Sequence, residues 1–322
     1  ARDFVFEGLS NHKVTIGENA LISAAVALTF NAADQQLILG EGSVVEAVIA
    51  SGGGGNGIIK VNGDATIKGN GIAHGGNSIN KITIANGKKL TLDSVGDSSY
   101  KTNDVNGIKL EDEDSTLILK GNNNITVNSA ITNNATKQGV VEIANDVGTS
   151  VNIKTVIFGA AIGTDKLAIK ELNNKSQYAN ISIKGAVEHN FDKLSLAGDT
   201  DILLSTNAGV KLTVGEFQNA SSGQGSLKVA EDATIDFKNT DEKRLKMINF
   251  DDNKTLTVAD GSTLFANNIN ATTANHGKFK FLGDATLDAA IGKEFATNTD
   301  LTINRIELNS PDNDKVVKIV RD

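Results

Sequence analysis

Carboxylates, a histidine and an arginine recur in one ordered series toward the end of this chain. Asn239-Thr240-Asp241 comes first, then Asp251-Asp252, then Asn275-His276-Gly277, then Arg305-Ile306-Glu307. Two carboxylates facing each other across a groove supply the general acid and base of glycoside cleavage. A nearby cation would hold an anionic sugar. The spacing works against that chemistry. Only ten residues separate Asp241 from Asp251, too few for one coil of stacked strands, so the acids should not lie one above the other. No Gly precedes His276, and the series ends on Glu307 where a second cation is needed. No residue is therefore assigned a catalytic role, and the chain is not expected to be an enzyme.

The remaining reactive residues read as structural. Glu111-Asp112-Glu113-Asp114 offers oxygen ligands but lacks the glycine spacing of a calcium loop, and reads as a solvated turn. His12, His74, His189 and His276 share no metal-binding spacing and read as turn or surface residues. Lys243-Arg244-Lys246 reads as a surface loop. Cysteine is absent, which excludes disulfides, thiol nucleophiles and thiolate-bound metals. No metal or cofactor is expected.

The elements that carry these residues announce themselves through a repeated phrase. Gly57–Lys68 reads GIIKVNGDATIK, Gly225–Asp236 reads GSLKVAEDATID, and Gly277–Asp288 reads GKFKFLGDATLD. A looser copy, GVVEIANDV, starts at Gly139. Each is a Gly, a short alternating strand, a polar turn and a second short strand. The intervals between the four glycines suggest multiples of a coil of about 27 residues. The predicted fold is all-β: a right-handed parallel β-helix, three-sided, with roughly a dozen coils. Ile59/Val61, Leu227/Val229 and Phe279/Phe281 should point inward, and Lys60, Lys228 and Lys280 outward into solvent.

Composition agrees. Among 322 residues there are 32 Gly and a single Pro, Pro311. Proline cannot donate to a strand ladder, whereas Gly and Asn tolerate the backbone of tight turns. Doublets such as Asn133-Asn134, Asn173-Asn174 and Asn267-Asn268 read as turns. Aromatics are only 4%, which suits a narrow interior of small and β-branched side chains and disfavours a β-sandwich. Residues 1–35 are least repeat-like and read as an atypical N-terminal cap, with two strands or a short helix near Ala20–Ala27. Residues 36–322 read as one continuous solenoid, with strands such as Val151–Phe158, Leu301–Ile303 and Val316–Ile319. The net charge of −8 lacks the basic stripe of a nucleic-acid binder. No apolar run reaches membrane-spanning length. Ser51–Asn56 and Asp93–Asn106 break the repeat and are the candidate contact loops.

The segments Gly277–Gly292 (GKFKFLGDATLDAAIG), Ile82–Val95 (ITIANGKKLTLDSV) and Lys254–Phe265 (KTLTVADGSTLF) resemble the passenger regions of autotransporters. Within that group they are most similar to the rickettsial surface cell antigens of the outer membrane protein B type. The resemblance covers most of the chain after Gln36. It implies a β-helix exported through the periplasm to the bacterial surface. There it would adhere to and help invade host cells, and form a protective coat. The implied partners are a host-cell surface protein and other copies of the chain, with no nucleic acid and no membrane insertion by this segment. The family's C-terminal barrel is missing, so the chain would be part of a longer passenger. The competing reading is a polysaccharide hydrolase resembling the polygalacturonases, whose motif order the acidic series follows.

Overall fold

A computed structural model describes residues 4–6, 11–73, 77–103, 107–164, 166–185, 187–205, 209–238, 243–291, 303–309 and 314–320. Every described strand-to-strand ladder is parallel, and the described residues form no helix. The strands stack into a β-solenoid. On the first face, one inward column runs unbroken through Val14, Leu37, Ile59, Ile82, Ile108, Ile131, Ile162, His189, Leu212, Ile235, Val258, Phe281 and Leu308. That is about twelve turns, or about 58 Å at the strand spacing.

Two further columns complete each coil. The second face stacks Ala65, Leu90, Leu117, Val141, Leu172 and Leu194. The third stacks Ile49, Ile72, Tyr100, Val127, Phe158 and Ile183. Between the first and last rungs, where Val14 is half-buried and Leu308 exposed, these side chains form one continuous buried core. All six inward positions expected from the phrase are fully buried, and Lys60, Lys228 and Lys280 face outward, half-buried. Each full burial of a Leu, Ile or Phe contributes roughly 1.5–3 kcal/mol. In a solenoid it is shared only with the coils above and below.

The coil is shorter than the phrase suggested. The column runs from Leu212 to Ile235, Val258 and Phe281 in equal steps of about 23 residues, near the lower end of the range for solenoid repeats. The step from Ile131 to Ile162 is the longest. The reason for the mismatch is that the phrase marks a corner, and corners occur three times per coil. Gly57 and Gly277 open strands of the first face, Gly139 lies at the second and Gly225 at the third.

Each of these glycines has a positive φ, from 76 to 84°. An added Cβ would fall 2.1 Å from Phe30, 2.3 Å from Leu110, 2.6 Å from Leu196 and 2.5 Å from Phe250, respectively for Gly57, Gly139, Gly225 and Gly277. Those four side chains occupy the last inward position of the preceding face, one coil earlier. Their partners one coil on are Ser51, Asn133, Asn219 and Ala271. A large residue therefore leans over each corner, and the next coil makes room with a small or polar residue and a glycine.

The Asp-Ala-Thr turn has its own role. Asp64, Asp232 and Asp284 accept hydrogen bonds from the backbone N–H of Lys89, Thr255 and Val316, each on the following coil. Ala65, Ala233 and Ala285 turn inward where the corner leaves little room. The amide of Val316, joined by Lys315, holds the Asp284 carboxyl below its usual range. A depressed carboxylate contributes stability that is present above the unfolded value and lost as pH falls through the folded one. Melting curves below about pH 4 should thus fall less steeply for Asp284→Asn than for the parent.

Three expectations change. Of the two readings of the first segment, the two-strand one holds: Lys13–Ile16 and Leu21–Phe30 are extended and pair with the next coil, so the ladder already runs through residues read as a cap, and the alternative helix at Ala20–Ala27 does not form. What sets this first coil apart is that its inward Val14 and Ile22 are only half-buried, whereas their partners Leu37 and Val45 one coil on are fully buried. The strand expected at Val151–Phe158 begins only at Lys154, because the backbone folds back between Thr149 and Asn152 and exposes Val151. The asparagine doublets are not all turns: Asn133, Asn173-Asn174 and Asn267-Asn268 lie within strands, because their register on the coil sets where the chain turns. Asn133, Asn174 and Asn219 end strands with buried side chains whose Nδ2 donates to the carbonyls of Gln138, Ala179 and Gln224, five residues on. Pro311 and Leu301–Thr302 lie outside the described residues, and the last described strands are Ile303–Leu308 and Val317–Val320.

Candidate functional site

With its interior filled by hydrocarbon, the solenoid can present chemistry only at its corners and outer faces. The corner between the third and first faces gathers both candidate loops. Gly55 N–H donates to the Ser78 carbonyl at 2.7 Å, and Ser51 bridges to Asn77. One coil further, Asn103 N–H donates to the Ile79 carbonyl at 2.8 Å. Ser51–Asn56 and the Lys101–Asn103 end of the second loop therefore stand two coils apart on one ridge, with Asn77–Ile79 on the coil between them. The remainder of that loop divides. Asp93–Tyr100 belongs to a long strand that bulges at the corner between the second and third faces. There Ser94 and Ser98 bond to each other and Asp97 accepts the Asn124 amide, leaving Val95 60% exposed. Asp104–Asn106 lie outside the described residues.

The acidic series is only partly assembled. Asn239-Thr240-Asp241 lie outside the described residues. Asp252 and His276 meet on adjacent coils, Oδ1 to Nδ1 at 3.0 Å, without the alignment of a hydrogen bond. Arg305 is held by Glu307 at 2.8 Å, and the same carboxylate takes Lys278 at 3.3 Å. The terminal glutamate that spoils the motif thus neutralises its own cation.

The other sequence candidates resolve as structure. Asp112 turns the acidic run by accepting from Gly87, Asp114 and Ser115. Burial alone would raise its carboxyl, but these hydrogen bonds outweigh it and hold the group below its usual range. No cluster of three potential metal ligands occurs among the described residues. His12 is exposed, and His74 lies outside the described residues. His189 departs from the surface position expected of it: it is fully buried in the first-face column between Ile162 and Leu212.

The basic cluster is consumed by packing. Arg244 spans to the carboxylate of Asp288, with Nη1 at 3.1 Å from Oδ1 and Nη2 on Oδ2, and lies over the Phe265 ring at 5.5 Å. Lys246 pairs with Asp199. Arg244→Lys should cost about 1–2 kcal/mol in urea unfolding, because an ammonium cannot reproduce a bidentate pair stacked on a ring. An unchanged midpoint would show the clamp to be idle.

Sequence reasoning passed over two surface features. Val151 and Ile153 protrude at 94% and 59% exposure. Lys60, read as an outward solvated lysine, lines a common cleft beside the ridge with Lys81 and Lys109, which sequence alone does not single out. Their grouping follows from coil register, which is invisible before the coils are aligned. No family model, curated protein or solved structure matches the chain.

Proposed function

We propose that the chain is a non-catalytic recognition rod of the bacterial surface, an autotransporter-type passenger that adheres to host cells and contributes to a protective coat. The observation that supports this most is the ridge. Loops that break the repeat at Ser51–Asn56 and Lys101–Asn103 stand two coils apart on one corner, carried by a scaffold whose interior is closed. Specific protein interfaces bury about 1600 Å². A rigid rod edge can offer a contact area of that order without needing a pocket. Export through the periplasm and the link to host-cell invasion rest on the sequence resemblance. The purified chain should bind host cells saturably, and deletion of Gly52–Gly55 should weaken that binding without altering the melting temperature. Absence of saturable binding to any host cell type would remove the adhesin reading.

A further inference from the structure

We propose that the first face carries a binding cleft for a sulfated linear polysaccharide, centred on Lys60, Lys81 and Lys109. The three lysines come from successive coils. Lys60 and Lys109 flank Thr83 in strand register, so they lie two rungs apart, about 10 Å along the axis. Lys81 sits on the same strand as Thr83, two residues before it, and so on the same face. Together with Asn62, Thr83 and Glu111 they line a shallow cleft of about 360 Å³. None of the three has an ion-pair or hydrogen-bond partner among the described residues. Many other outward lysines are matched to a carboxylate, as Lys68 is to Glu46 and Lys228 to Asp201. Other lysines, Lys280 among them, also stand unpaired, but here three from neighbouring coils share one cleft whose lining holds a single carboxylate, Glu111. That leaves a local excess of positive charge in a chain of net charge −8, and an excess of like charge opposes folding.

The chemistry of the lining selects the occupant. The cations follow the straight axis of the rod, which suits an extended chain. Three charges across two rungs call for more than one negative charge per sugar, which sulfate esters supply and a plain uronate polymer does not. Asn62 and Thr83 offer hydrogen bonds to ring hydroxyls. No aromatic side chain on which bases could stack lines the cleft among the described residues, which disfavours single-stranded nucleic acid. Glu111 at one end would set polarity by repelling an anionic group there. The cleft is independent of the ridge on which the adhesin reading rests.

The test is calorimetric titration of the whole chain with heparin oligosaccharides, the same oligosaccharides after desulfation, and oligodeoxythymidylate. The sulfated sugar should bind, more weakly as salt rises. The triple variant Lys60→Gln, Lys81→Gln, Lys109→Gln should lose about thirtyfold in affinity while melting as the parent does. A control variant, Lys68→Gln, Lys228→Gln, Lys254→Gln, should retain binding. The proposal fails if heparin does not bind, if the control loses as much as the triple variant, or if desulfated sugar or oligodeoxythymidylate binds as well. Host-cell adhesion that persists in the triple variant would leave the proposed function standing, whatever becomes of the cleft.

Discussion

Gly57→Ala should destabilise the coils around it by about 3 kcal/mol or more. Two costs combine. The φ of 84° is one that L-residues rarely adopt, and alone costs about 1 kcal/mol. The added methyl would also lie 2.1 Å from a Phe30 ring carbon, with two further Phe30 atoms at 2.3 and 2.6 Å. Phe30 is fully buried and has nowhere to move, so overpacking adds about 1–3 kcal/mol. Gly87→Ala is the matched control: its φ is 66°, but a Cβ there meets nothing within 4 Å. It should cost only the backbone share. Because each coil contacts only its neighbours, the Gly57 effect should show in amide exchange of Leu21–Phe30 and Ile58–Val61 before distant coils respond. Phe30→Leu should recover part of the loss in the Gly57→Ala background, giving a coupling energy between the two sites. Equal losses at Gly57 and Gly87 would mean that the corner can relax and that packing against Phe30 is unimportant.

Acidification from pH 6.5 to 4 should remove about 3 kcal/mol of stability through His189 alone. Burial pushes this imidazole down to about 4, against the opposing pull of the Lys184 carbonyl. Neither ring nitrogen has a partner in hydrogen-bond geometry, and the column neighbours are Ile162 and Leu212. In the unfolded chain the ring titrates near its ordinary value of about 6.5. Above that pH both states are neutral and the protein keeps its full stability. Between the two values only the unfolded state takes up a proton, so stability falls as pH falls, by about 1.4 kcal/mol per unit. Below the folded value the loss levels off. His189→Leu should abolish this slope and raise stability at pH 7 by about 1–3 kcal/mol, since it removes two unsatisfied buried nitrogens. Urea unfolding at half-unit pH steps reads both effects. An unchanged slope in the variant would place the proton elsewhere. The carboxylate losses, exemplified by Asp284, fall at lower pH and are separable on the same curves.

His189 also marks where local pattern stops being informative. Its neighbours in sequence, Glu188 and Asn190, are polar, and a histidine between them looks like a surface residue. Its position in the column is set by Ile131, Ile162 and Leu212, which are remote in sequence. The three lysines of the cleft are hidden in the same way. Each is an ordinary outward residue on its own strand, and only register across coils makes them a group. Arg244 looks like part of an open basic patch until Asp288, far along the chain, closes over it.

Strand alternation, inward pairs such as Ile59/Val61, corners that need glycine and strands that exclude proline are all legible in the residues alone. From them the parallel β-solenoid of about a dozen coils follows, because alternation and corner chemistry act within a few residues. The narrow interior of small and β-branched side chains is not what forms, since Tyr100 and phenylalanines such as Phe30, Phe158 and Phe217 are fully buried in the core. The coil length does not follow. The same glycine-strand phrase serves all three corners, so its spacing measures corners and not turns. It suggests about 27 residues per coil where about 23 residues is commonest. Which corner each phrase occupies, which loops share a ridge, and which charges meet or stay unmatched are decided only when the coils stack. Those outcomes depend on contacts between residues a whole coil apart. Insertions that lengthen a coil, as between Ile131 and Ile162, shift that register without leaving a local mark.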